Sequence, residues 1–75
     1  MLSNIIKMFE EILERDTGTI NAHDEFREYE EWDSLAYLSV IAKIDDNYGL
    51  VIPIEDFRSC RTVQALADYV MAHKG

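Results

Sequence analysis

Glu30-Glu31-Trp32-Asp33-Ser34-Leu35-Ala36-Tyr37-Leu38 is the stretch that decides the fold, because an acidic, aromatic-dotted segment ends here and an amphipathic helix begins. Asp33 is the natural N-cap of that helix, which places Ser34 at or just inside its first turn. A hydroxyl there is exposed, held on a rigid element, and close to backbone N–H groups that favour an anion. Such a position suits a serine that carries a phosphate ester.

Working outward, the spacing predicts a helix over residues 34–48, stopped at Gly49. Steps of about 100° per residue put Tyr37, Leu38, Val40, Ile41, Ile44 and Tyr48 on one broad apolar side and Ala36, Ser39, Lys43, Asp46 and Asn47 opposite. Upstream, residues 3–15 read as a first helix with Ile5, Ile6, Phe9, Ile12 and Leu13 inward and Lys7, Glu10, Glu11 and Glu14 outward. Ser3 is its candidate N-cap, and Gly18 lies where a left-handed C-terminal residue is wanted. Between the two helices, residues 17–33 form a long connection pinned by Ile20, Phe26, Tyr29 and Trp32, with room for one short helical turn. Downstream, Pro53 permits a new helical start, so a short helix is expected over about 54–59 in preference to a partnerless strand at 50–54. Thr62 caps a last helix with Val63, Leu66, Ala67 and Val70 inward. The fold class is all-α, a single domain over residues 1–75.

Composition narrows the function. Apolar residues make up 48% of the chain, enough for a core, but 75 residues leave little room for a deep catalytic cavity. The 15 Asp and Glu against 7 Lys and Arg give a net charge of −8, which disfavours nucleic acid and suits partners with basic docking surfaces. A single cysteine, no secretory signal and no apolar run of membrane-spanning length point to a cytoplasmic protein with no membrane association.

Catalytic and metal chemistry finds no residues. Ser34 has no histidine or lysine near it in sequence to serve as a base, and a carboxylate such as Asp33 is too weak a base to take the proton of a hydroxyl. Cys60, His23 and His73 match no zinc spacing, and Cys60 sits among interior positions. No glycine-rich phosphate loop exists in a chain with three glycines. His23 reads as an inert surface residue.

From Asp33 to Val70 the chain resembles the acyl carrier proteins without a gap. The features that carry the resemblance are the Asp33-Ser34-Leu35 motif, the helix ending in Asp45-Asp46-Asn47-Tyr48, the Ile52-Pro53 turn with Glu55-Asp56, and the final Thr62–Val70 segment. The resemblance implies a four-helix carrier bundle with a long first loop and a short third helix. It implies a stand-alone monomeric carrier, not an enzyme. Its Ser34 would receive 4′-phosphopantetheine from coenzyme A through a phosphopantetheinyl transferase and hold acyl groups as thioesters. The implied partners are that transferase, an acyl- or aminoacyl-loading ligase, and downstream synthases. Asp33, Leu35, Glu30, Glu31, Asp45 and Asp46 are the expected docking residues.

Two departures bear on the pathway. Fatty-acid carriers usually show more acid on the exposed face of the second helix, where this chain has Ala36, Ser39 and Lys43. Trp32 stands where those carriers commonly have a small residue. Both suit a specialised pathway, such as polyketide, aminoacyl or lipid-modification chemistry, over housekeeping fatty-acid synthesis. The paired glycines frequent before the motif in aminoacyl and peptidyl carriers are absent, which favours acyl cargo. The alternative from another class is an unmodified four-helix interaction module.

Overall fold

The computed structural model describes residues 1–74. Among them are four α-helices, α1 (Leu2–Ile12), α2 (Ser34–Tyr48), α3 (Ile54–Ser59) and α4 (Val63–His73), with a 3₁₀ turn at Phe26–Glu28 and no strand. Helix α1 packs against both α2 and α4, and the short α3 links α2 to α4. One apolar cluster runs through the middle, with Ile5, Phe9, Phe26, Val40, Ile44, Val63, Leu66 and Val70 all fully buried. The four-helix expectation, the long first loop and the short third helix are all met.

Capping explains most of the boundaries. Asp33 accepts a hydrogen bond from the Ala36 N–H at 2.8 Å, and Thr62 accepts one from the Ala65 N–H at 3.0 Å. Each satisfies a first-turn donor that has no partner inside its own helix. Gly49 takes the left-handed conformation, φ 64°, that closes α2, and its N–H reaches the Asp45 carbonyl at 2.8 Å.

Helix α1 departs from the expected 3–15. It starts after Met1, with no side-chain cap from Ser3, and ends at Ile12. The left-handed residue that closes the helix is Glu14, φ 55°; Gly18 also takes a positive φ, 90°, but four residues farther along, in the loop. The Glu14 N–H bonds to the Glu11 carbonyl and the Arg15 N–H to the Glu10 carbonyl, the pair of bonds that defines a Schellman ending. Glu10, expected outside, is buried because its carboxylate accepts the Gly18 N–H at 2.7 Å and draws the loop back over the helix. Met8, absent from the expected face, is buried in its place among the apolar side chains.

Helix α2 is also rotated from the expected reading at its first turn. Its buried stripe is Ala36, Val40 and Ile44, four residues apart, flanked by half-buried Tyr37, Ile41 and Tyr48. Leu38 lies roughly 160° round the helix from Val40 and is exposed. Ala36, expected on the outer side, is buried. In α4, Val63, Leu66, Ala67 and Val70 face inward as expected.

Candidate functional site around Ser34

The long loop builds the surroundings of Ser34. It enters the core through Ile20 and Phe26, both buried, and through half-buried Tyr29 and Trp32. Its main chain also completes α4, since the Ala22 and Asp24 carbonyls accept the Gln64 and Val63 N–H groups at 2.9 and 3.1 Å. These are first-turn donors of α4 that would otherwise need water. The loop is therefore a structural strap whose last residues deliver Asp33 and Ser34 to the start of α2.

Aromatic rings hold that delivery point. Trp32 lies edge-on to Phe26 with centroids 5.0 Å apart, and nearly parallel to Phe57 at 6.3 Å. Phe26 touches Phe9 at 5.1 Å and Phe57 at 5.6 Å, which joins α1, the loop and α3 in one cluster. Tyr37 of α2 meets Phe57 edge-on at 5.1 Å. Offset and edge-on pairs at such separations add to stability beyond their burial.

Arg27 fastens α3 to this cluster. Its guanidinium donates to the Phe57 and Cys60 carbonyls, both at 2.7 Å, at the C-terminal end of α3. The same group lies over the Phe26 and Phe57 rings at 4.8 and 5.0 Å. A six-residue helix has little intrinsic stability, so its free carbonyls and its position depend on such contacts. Tyr69 of α4 supplies a second one, donating to Asp56 at 2.6 Å; that bond pushes the Tyr69 hydroxyl pKa up to about 12.

Ser34 itself is exposed, as are Asp33 and Leu35 beside it, with Leu35 74% accessible. Ser34 lines a groove between the start of α2 and α3 together with Trp32, Tyr37, Ile54 and Phe57, and the charged Arg27, Asp33 and Arg58 line it too. An exposed primary hydroxyl on a capped helix start, beside a groove lined by apolar and aromatic side chains, fits a phosphodiester-linked arm. Burial raises the Cys60 thiol pKa, and the side chain sits in the core, which suits packing and not reactivity. Among the described residues no group of three or more His, Cys, Asp or Glu side chains could hold a metal ion. No described helix is long and apolar enough to cross a membrane.

The expected docking residues fall into two sets. Glu30, Glu31, Asp33 and Leu35 crowd the Ser34 end and are all exposed. Asp45 and Asp46 lie near the other end of α2, about 17 Å along the helix axis from Ser34. Glu31 is not a free charge: Arg15 grips it through two hydrogen bonds of 2.9 and 3.0 Å, and this pairing lowers the Glu31 pKa. Exposed Leu38, one turn beyond Leu35, joins the surface that sequence spacing had placed inside. Arg27 and Phe57 are the neighbours of Ser34 that no local pattern marked, since both reach it from distant parts of the chain.

Known proteins resemble the chain along most of its length. The family described as phosphopantetheine attachment site matches residues 3–70. An acyl carrier protein of Rubrobacter xylanophilus is 32% identical over 59 residues, covering 79% of this chain and 73% of that protein. One from Myxococcus xanthus is 23% identical over 70 residues, covering 93% of this chain and 89% of that protein. The solution structure of a holo acyl carrier protein from Geobacter metallireducens, at 20% identity, superposes with a TM-score of 0.80 over 95% of this chain and 82% of that one, which establishes the shared fold.

Proposed function

The chain belongs to the phosphopantetheine-bearing acyl carrier protein family, and from that premise we propose that Ser34 is the residue on which it carries the arm. Members of this family are carriers modified and served by separate enzymes, and not enzymes themselves. The observation that carries the assignment is the exposed Ser34 hydroxyl at the Asp33-capped start of α2.

In the modification step Ser34 Oγ bonds to the coenzyme A phosphorus that bears the pantetheine. The bond from that phosphorus to the adenosine bisphosphate portion breaks, and the hydroxyl proton passes to a base on the transferase. When bound, the arm supplies a thiol that holds an acyl group as a thioester. This chain's residues do the positioning. Asp33 fixes the first turn, Trp32 and Phe57 keep the approach rigid, and first-turn N–H groups favour the new negative charge. Tethering gives each partner a high effective concentration of the bound group.

Docking rests on the exposed acids and leucine at this end. Glu30, Asp33 and Leu35 meet the transferase and the later partners directly. Asp45 and Asp46 extend the negative field along α2, while Glu31 contributes less because Arg15 already neutralises it. Residues 1–75 act as one carrier domain with acyl cargo, serving a fatty-acid, polyketide or other specialised biosynthetic pathway.

The test is direct. The purified protein is incubated with coenzyme A and a broad-specificity phosphopantetheinyl transferase, and its intact mass is measured. The wild type gains one arm and Ser34→Ala gains none. An unmodified wild type, or an arm on the Ala variant, refutes the assignment. Modification should slow as salt rises, because fields reaching about 10 Å at 0.1 M are screened. Rates independent of salt would leave the acids with capping and solubility alone.

A further inference from the structure

An acyl thioester brings an apolar chain into water, and the interior of the bundle is the nearest place where that chain could escape it. The interior is already filled, starting at the Ser34 end. Trp32 and Tyr37, which line the groove beside Ser34, both rest on Phe57, with centroids 6.3 and 5.1 Å from its ring. Phe57 meets Phe26 at 5.6 Å, and Phe26 meets Phe9 at 5.1 Å. Phe9 and Phe26 are fully buried and Phe57 is 2% exposed, so a continuous run of packed rings reaches from the serine's groove to α1.

The elements that carry these rings are tied down. Arg27 holds α3 through the Phe57 and Cys60 carbonyls, both at 2.7 Å, and Tyr69 holds it through Asp56 at 2.6 Å. The loop that supplies Phe26 and Trp32 is bound to α4 through the Ala22 and Asp24 carbonyls. Shifting α3 or the loop to make room breaks hydrogen bonds as well as ring contacts.

The balance of free energies keeps the interior closed. Burying one methylene favours the interior by about fourfold, so a butanoyl chain gains on the order of 10²-fold at most. Taking one buried ring out of its packing costs on the order of 10²- to 10³-fold, before any hydrogen bond is counted. Even an octanoyl chain, at about 10⁴-fold, is offset when touching rings and the Arg27 bonds must move together. The cavities along α1 are no substitute, because charged groups border them: Lys7, Glu11 and Lys43 in one, Lys7 and Glu10 in another.

We propose that this carrier holds its acyl group outside the bundle, and that its cargo is accordingly short or polar: an acyl group of about four carbons or fewer, or one bearing hydroxyl, keto or carboxyl groups. Attachment at Ser34 is the premise. A long apolar chain left in water favours association between molecules, whereas a short or oxygenated one stays soluble on the arm. Partner enzymes then meet the acyl group directly, with no step that withdraws it from the core.

The experiment uses the full chain loaded from acetyl-, butanoyl- and octanoyl-coenzyme A by the broad-specificity transferase, each mass confirmed first. The bond exchange at phosphorus is the one described for coenzyme A, and the thioester is untouched. Denaturation midpoints of the three acyl forms should match that of the unacylated holo form within error. Methyl resonances of Ile5, Val40, Ile44, Leu66 and Val70 should keep their shifts, while retention on a hydrophobic-interaction column rises with chain length. A midpoint that climbs with chain length, retention that ignores it, or nuclear Overhauser contacts from the octanoyl chain to those core methyls overturns the exposed cargo and leaves attachment at Ser34 standing. Absence of the acylated arm from the mass overturns the attachment and the exposed cargo with it.

Discussion

The long loop is held on two sides by different physics. Its inner side sinks Phe26 and half of Trp32 into a ring cluster shared with α1 and α3, and sends Arg27 to two carbonyls of α3. Its outer side carries the Arg15–Glu31 pair and the Tyr29–Asp24 hydrogen bond of 2.7 Å, with Arg15 4.2 Å above the Tyr29 ring. The inner contacts exclude water and have no substitute partner once broken, whereas the outer charges regain water when separated. The inner side should therefore set the stability of the Ser34 end, and the outer side should tune it with pH and salt.

Phe26→Ala is the strongest way to break that contrast. The ring is fully buried and touches three others, so its loss should cost about 3–5 kcal/mol in chemical denaturation. A loss below about 1 kcal/mol would mean that the cluster repacks freely and that the two sides are not distinct.

Arg27→Gln comes next. It removes two charge-assisted bonds to the α3 carbonyls and should destabilise by about 2 kcal/mol. Hydrogen exchange should quicken in α3 before it quickens in α1 and α4. Uniform exchange across the helices would show that the clamp belongs to the global core and not to α3.

Asp33→Ala removes the cap and should cost about 1 kcal/mol. The sharper readout is local: amide protection of Ala36 should fall, and modification of Ser34 should slow, while the ring cluster keeps its NMR shifts.

The outer side gives the smallest effects. The Tyr29 hydroxyl holds the Asp24 carboxyl below its ordinary value of 3.8, so this bond's stabilisation is fully present above that pH and is lost as pH falls through the lowered value. Tyr29→Phe should flatten the stability–pH curve below about pH 4 and leave it nearly unchanged at neutrality. Arg15→Gln should leave the denaturation midpoint within error at 0.5 M salt, since an exposed pair is screened there. A large loss at high salt would place the ion pair among the structural anchors.

Much of this architecture was legible along the chain because its signals are local. Asp33 and Thr62 declare helix starts through short side chains that reach N–H groups three residues on, and Gly49 declares a stop through its freedom at positive φ. Helix α1 was misjudged because its stop uses Glu14, a residue type that rarely takes positive φ, and because a buried carboxylate was assigned to the outer face by polarity. Leu38 and Ala36 exchanged places for a related reason. Polarity favours leucine inside, but which arc of α2 is covered depends on what packs there, and the covered arc carries the small Ala36.

By itself, then, the sequence determined an acidic all-α chain with a capped helix starting at Ser34, and, through the motif around that serine, the family that uses it. Periodicity, capping and charge are properties of neighbours in sequence, so they survive without knowledge of the fold. The tertiary structure alone decided what surrounds the hydroxyl. Trp32 from the loop, Tyr37 from α2, and Ile54, Phe57 and Arg58 from α3 meet only when the bundle closes, and Arg27 fixes α3 from thirty residues away. Contacts between elements of such separation leave no periodic trace, which is why the serine could be read in the sequence and its groove could not.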